Sequence, residues 1–122
     1  MKRLHRLRTP GEFTATRERA DKAWPHRLLV LYMAPNDLDY TRVGTTVSGR
    51  VGNAVVRNRV RRRLREALQA RLPRLKTGHD LLVIARPPSA RASWLELCQA
   101  LDTVLSRAHA TQNATHSHGV HV

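Results

Sequence analysis

Residues 49–68 read GRVGNAVVRNRVRRRLREAL, with seven arginines between Arg50 and Arg65 and no acid before Glu66. At about 100° per residue, Val56, Val60, Leu64, Ala67 and Leu68 share one arc, with Arg57 at its edge. Asn58, Arg59, Arg62 and Arg65 fall on the opposite side, and Arg61 lies on a flank. Asn53 suits the N-cap and Pro73 stops the pattern, so the spacing predicts an amphipathic helix ending near Leu72. Like charges one turn apart destabilise a helix by about 0.2–0.5 kcal/mol per pair. An ordinary solvated face offsets this with Glu four residues before Lys or Arg, and no such acid lies between Arg50 and Arg65. The pattern suits a helix that packs one face on a sheet and lays the other along an anionic polymer.

The flanking sequence supplies the sheet. HRLLVLYMA (26–34) is a continuous apolar run of strand length between Pro25 and Pro35, predicted to be a central strand buried on both faces. TRVGTTVS (41–48) alternates and is β-branched, and is expected to run antiparallel beside the first strand. DLLVIAR (80–86) is a third strand, ended by Pro87 and Pro88. Before the first strand, Thr9, Pro10 and Glu12 form a capping box that opens a short helix to about Arg19, with Phe13 its one large apolar residue. After the third strand, Ser93 and Glu96 form a second capping box. Trp94, Leu97, Cys98, Leu101, Val104, Leu105 and Ala108 then recur at helical spacing as a core-facing stripe. The predicted fold is α+β, a single small domain over residues 9–108 with helices packed on one sheet. Residues 1–8, with Lys2, Arg3, Arg6 and Arg8, are expected to form a mobile basic arm. Residues 109–122 are expected to be a disordered, histidine-rich tail.

Twenty-two Lys and Arg face nine Asp and Glu in 122 residues, a formal net charge of +13. Nineteen of the bases are Arg, whose planar fork of donors matches phosphate oxygens and stacks on bases. Composition therefore favours nucleic acid as the partner. Cys98 is the only cysteine, which forbids an intramolecular disulfide and fits a reducing, cytoplasmic setting. No apolar run approaches the roughly 20 residues that span a bilayer, and no secretion signal follows the basic N-terminus.

With these elements in order, RVGNAVVRNRVRRRLREAL (50–68) resembles the signature helix of the bacterial ribonuclease P protein subunit, with Arg57, Asn58 and Arg59 as its Arg-Asn-Arg triplet. GEF in the first helix, LLVLY and RVGTTVS in the first two strands, and GHDLLVIARP around the third extend the resemblance over roughly residues 4–108. It implies a mixed sheet with a left-handed β-α-β crossover. The implied function is to bind a catalytic RNA and the single-stranded 5′ leader of precursor tRNA, so promoting 5′-end maturation. The implied chemistry is phosphodiester hydrolysis by the RNA with magnesium; the protein supplies no catalytic residue and binds no metal. Carried onto this chain, Arg50, Arg57, Asn58, Arg59, Arg61, Arg62 and Arg65 form the RNA-binding helix and its approach. Phe13 and Tyr32 line a leader cleft. The family often has a second aromatic where this chain has Arg17, which is assigned to the cleft in its place, and a basic residue where it has Gly49.

Other residues have plainer roles. Gly49 and Gly52 serve either close backbone approach or a simple turn. Trp94 and Cys98 are read as core, and His116, His118 and His121 as too unsupported for a metal site. The nine acids are scattered, so a protein-borne nuclease centre is not expected. No obligate protein partner is evident. Two alternatives stand beside the family reading: a ribosomal-type RNA-binding protein without a role in cleavage, and a DNA-binding regulator. The second of these lacks the helix that should precede a recognition helix.

Overall fold

A computed structural model describes residues 5–20 and 22–110. In chain order the elements are α1 (Pro10–Arg19), β1 (Ala23–Pro25), β2 (Leu29–Pro35), β3 (Arg42–Val47), α2 (Ala54–Arg71), β4 (His79–Ala85) and α3 (Trp94–Arg107). The four strands form one mixed sheet in the order β1-β2-β4-β3.

This order corrects one expectation. β3 does not pair with β2: β4 lies between them, antiparallel to β2 and parallel to β3. Alternation tells which face a strand buries but not which strand is its neighbour, and the crossover through α2 returns the chain between the two earlier strands. β1 is an addition. Its three residues pair antiparallel with Val30–Tyr32 across a turn in which the Leu28 amide donates to His26 Nδ1 at 3.0 Å. A three-residue strand ending in Pro25 is too short to carry a periodic signal.

The core lies on one face of the sheet. Leu29, Leu31, Val43, Val47, Leu81 and Val83 meet Val60, Leu64, Ala67 and Leu68 of α2 and Leu97, Ala100, Leu101, Val104 and Leu105 of α3. Cys98 is half-buried against this cluster. Trp94 is not core: it is 44% exposed, beside Leu95 at 64%. Its helical phase matches the stripe, but it sits in the first turn, before burial begins at Leu97.

The opposite face is only partly covered, so β2 is not buried on both sides. α1 crosses it with one large apolar residue, Phe13, and is held mostly by polar contacts. Asp80, fully buried on β4, is their hub. Its two carboxylate oxygens accept from Arg42 Nε at 2.9 Å and Arg42 Nη2 at 2.8 Å. Asn36 Nδ2 donates at 2.9 Å and Arg19 Nη2 of α1 at 3.2 Å. Glu12 closes the capping box of α1 with Thr9 and lies 3.4 Å from Arg42 Nη1, tying the other end of the helix to β3. A buried carboxylate is tolerated only when paired and hydrogen-bonded, and Asp80 meets both conditions.

The chain ends join the same framework. Arg6 pairs with Val43 on the outer edge of β3, and Leu7, whose amide donates to the Val43 carbonyl at 2.8 Å, is 3% exposed. Of the segment expected to be mobile, residues 6–8 are therefore fixed to the sheet; residues 1–4 lie outside the described part. At the other end, the Lys76 amide donates to the Ala110 carbonyl at 2.8 Å, which extends the domain past residue 108. The rest of the expected tail, 111–122, lies outside the described residues.

Burial pushes the Asp80 carboxyl up, but hydrogen bonds from Arg42 and Asn36 and the adjacent guanidinium charges outweigh it and hold it below the usual carboxylate range. The folded value thus lies below the unfolded one, about 3.9. The stabilisation is complete above the unfolded value and is lost as pH falls through the folded one. Asp80→Ala, which leaves Arg42 without its buried partner, is predicted to cost about 3–5 kcal/mol in urea unfolding at pH 7. Asp80→Asn should also flatten the loss of stability below pH 4. A wild-type-like midpoint for Asp80→Ala would show that the hub does not hold α1.

Candidate nucleic-acid interface

α2 begins at Asn53, whose side-chain oxygen accepts from the Val56 amide at 3.0 Å. Gly52 before it has φ +157°, and a Cβ there would stand 3.0 Å from Val56 Cβ, so the turn itself requires this glycine. Gly49 meets no such limit: its Cβ would lie 3.6 Å from Arg57 Nη1, an ordinary contact.

The arginines divide by position. Arg50, Asn58 and Arg62 are exposed, and Arg57, Arg59, Arg61, Arg63 and Arg65 are half-buried. Arg61 Nη1 donates to Asn58 Oδ1 at 2.7 Å, which orders the outer face without neutralising it. Arg59 and Arg63 share the other flank and are tied to the chain ahead of α3: Arg59 Nη2 donates to the Ala90 carbonyl at 3.0 Å and Arg63 Nη1 to the Ala92 carbonyl at 3.1 Å. Arg59 is therefore not fully on the outer face, as its phase suggested, because its long side chain bends back to a buried carbonyl. Arg63 was absent from the sequence assignment, although its position one turn after Arg59 places it on the same flank.

Among the described residues, the ion pairs use Arg19, Arg42 and Arg71. None uses an arginine between Arg50 and Arg65. Arg71 closes the far end of α2 on Asp102, with Nε 2.6 Å from Oδ1. The acids thus pair with arginines that hold the fold, and a continuous run of guanidinium groups is left uncompensated.

On the open face of the sheet, the structure brings two of the three cleft residues together. Arg17 of α1 lies 5.4 Å from the centre of the Tyr32 ring on β2, a cation–π contact. Tyr32, Leu82 and Gly44 are in register across β2, β4 and β3. The next row, Val30, Ile84 and Thr46, is half-buried and forms a shallow floor beside α1. Phe13 sits elsewhere. Its ring packs over Gly44 at the β3 edge and lines a cavity with Arg61 and Arg65 of α2. Among the described residues, no group of three or more His, Cys, Asp or Glu side chains is placed to hold a metal ion. No helix there is long and apolar enough to cross a membrane.

The Ribonuclease P family profile matches residues 1–109 of the chain. The chain belongs to the ribonuclease P protein family. The ribonuclease P protein component of Roseiflexus castenholzii is 41% identical over 115 residues, 93% of each chain. That of Chloroflexus aggregans is 44% identical over 88 residues, 72% of this chain and 64% of its own. The fold agrees with solved ribonuclease P proteins. The Staphylococcus aureus protein has a TM-score of 0.80 at 28% identity, over 88% of this chain and 98% of that one. The Thermotoga maritima protein has a TM-score of 0.75 at 26% identity, over 84% and 96%. As a member, the chain is the protein subunit of an RNA-containing holoenzyme active in tRNA processing, and the endoribonuclease is the assembled ribonucleoprotein. A ribosomal-type role without cleavage is not favoured.

Because Arg59 donates to a backbone carbonyl while Arg62 projects free, Arg59→Ala is expected to cost about 1–2 kcal/mol of stability. Arg62→Ala should stay within about 0.5 kcal/mol of wild type. Urea unfolding of the two variants separates them, and equal midpoints would contradict the anchoring of Arg59.

Proposed function

We propose that the chain binds the catalytic RNA of ribonuclease P along α2 and the 5′ leader of precursor tRNA in the cleft between α1 and the sheet. The observation that carries this is the row of arginines on α2, none with an acid partner among the described residues. Arg50, Arg57, Asn58, Arg59, Arg61, Arg62 and Arg65 would meet phosphates, with Arg63 added on the Arg59 flank. Phosphate contact relieves the mutual repulsion of these groups and releases counterions from the RNA.

The leader assignment rests on Arg17, Tyr32 and Phe13. A single strand offers base faces that can stack on a ring and a guanidinium plane, which a duplex buries. The floor of Val30, Ile84 and Thr46 carries no charge, so contact there discriminates little among bases and suits a leader of variable sequence. Hydrolysis belongs to the RNA with its magnesium ions. The protein's cations would lower the magnesium needed to bring two polyanions together. A cytoplasmic setting suits this work, and Cys98, packed beside the core, places no demand on an oxidising compartment.

Arg50 and Arg62 are exposed and no side-chain hydrogen bond holds either, so their loss tests phosphate contact without disturbing the fold. In Arg50→Ala/Arg62→Ala, the log–log dependence of catalytic-RNA affinity on salt is expected to flatten by about one to two units. An unchanged slope would overturn the placement of RNA on this face.

A further inference from the structure

The cavity that contains Phe13 joins two surfaces the sequence kept apart. It has a volume of about 530 Å³ and opens at the outer edge of β3. Arg61 and Arg65 reach it from α2, on one face of the sheet, and Arg6 and Arg8 from the segment before α1, on the other side of that edge. No acid lines it, and none of these four arginines takes part in an ion pair among the described residues. Like charges drawn from two separate segments converge here because the Arg6–Val43 pairing and the buried Leu7 hold the N-terminal segment against the strand.

The cavity is not only cationic. Its floor includes the Phe13 ring and Leu7, and Gly44 is what lets the ring lie so low. A Cβ at Gly44 would stand 2.8 Å from Phe13 Cε1 and 2.9 Å from Leu7 Cβ, so any side chain there would push the ring up into the space. A site with guanidinium groups around an aromatic floor fits a ligand that carries both an anion and a flat apolar group. The volume falls within the roughly 300–1,000 Å³ of ligand-sized pockets. Base-paired RNA cannot present its base face to such a floor, whereas an unpaired nucleotide can.

We propose that this edge cavity seats one unpaired nucleotide, with its phosphate among Arg6, Arg8, Arg61 and Arg65 and its base against Phe13. The proposal rests on the RNA-binding reading of α2 and adds a defined subsite to it. Arg6, Arg8, Leu7 and Gly44 gain roles, the last two as positioning residues. Phe13 then acts at the junction of the two surfaces rather than beside Tyr32. The nucleotide can come from the catalytic RNA or from the leader, which share this chemistry.

The test titrates the full-length protein with adenosine 5′-monophosphate, adenosine or inorganic phosphate, followed by amide NMR. Adenosine 5′-monophosphate should shift the Leu7 and Gly44 signals saturably, with adenosine and phosphate each binding at least tenfold more weakly. Arg61→Gln/Arg65→Gln should lower the nucleotide affinity at least tenfold. The charge-matched control Arg74→Gln/Arg91→Gln, with both arginines outside the cavity, should not. Gly44→Ala should weaken binding by raising the Phe13 ring; if that variant does not fold, the arginine pair decides alone.

Equal affinity for phosphate, or shifts along α2 with Leu7 and Gly44 unmoved, would overturn the proposal. In the holoenzyme, loss of affinity by Arg61→Gln/Arg65→Gln for leader-bearing substrate only assigns the nucleotide to the leader. Loss of affinity for the catalytic RNA itself assigns it to that RNA, and no change in either refutes the site. If nucleotide binding fails while the Arg50/Arg62 salt slope flattens, the subsite falls and the RNA-binding reading stands. An unflattened slope would remove that reading whatever the nucleotide does.

Discussion

The carboxylate of Asp80 fixes where α1 can lie, and the geometry of the open sheet face depends on it. α1 cannot hold itself down by apolar burial, since Phe13 is its one large apolar side chain and Thr16 its only fully buried residue. Arg42 of β3 and Arg19 of α1 both bond Asp80, so the two sides of the open face are referenced to one buried point. With α1 fixed, Arg17 falls over Tyr32 and Phe13 over Gly44. A polar anchor also leaves the neighbouring row of Val30, Ile84 and Thr46 uncovered. An apolar helix wide enough to secure itself would have buried that row and left no cleft.

The second constraint is how charge is distributed. With nine acids against twenty-two bases, only a few arginines can be paired, and the structure pairs those with structural work. Arg19 and Arg42 hold α1 through Asp80, and Arg71 holds α2 to α3 through Asp102. Arg59 and Arg63 use backbone carbonyls instead, which position a guanidinium while keeping its charge available to an anion. The outer face of α2 is thus ordered yet not neutralised. That combination suits a surface completed by RNA better than one adapted to water.

Local features were legible in the sequence because their causes are local. Both capping boxes, Thr9 with Glu12 and Ser93 with Glu96, form as read, and so does the Asn53 cap of α2. The buried arc of α2 matches its helical phase at Val60, Leu64, Ala67 and Leu68. What was missed depends on distant partners. The insertion of β4 between β2 and β3 leaves no trace in strand alternation. Trp94 carried the right phase at a position where nothing covers it. Asp80 read as the first residue of a strand, and only the folded chain shows Arg19, Asn36 and Arg42 converging on it. The separation of Phe13 from Tyr32 follows from the direction in which α1 crosses the sheet, which no spacing along the helix reports.

The most direct measurement is 5′ leader release from a precursor tRNA by the catalytic RNA at limiting magnesium, with and without this protein. Strong stimulation by the wild-type chain is expected, much of it lost in Arg17→Ala/Tyr32→Ala while binding to the catalytic RNA is retained. Tight RNA binding without stimulation would contradict the leader role of the cleft. Full stimulation by the double variant would show that the leader lies elsewhere on the protein.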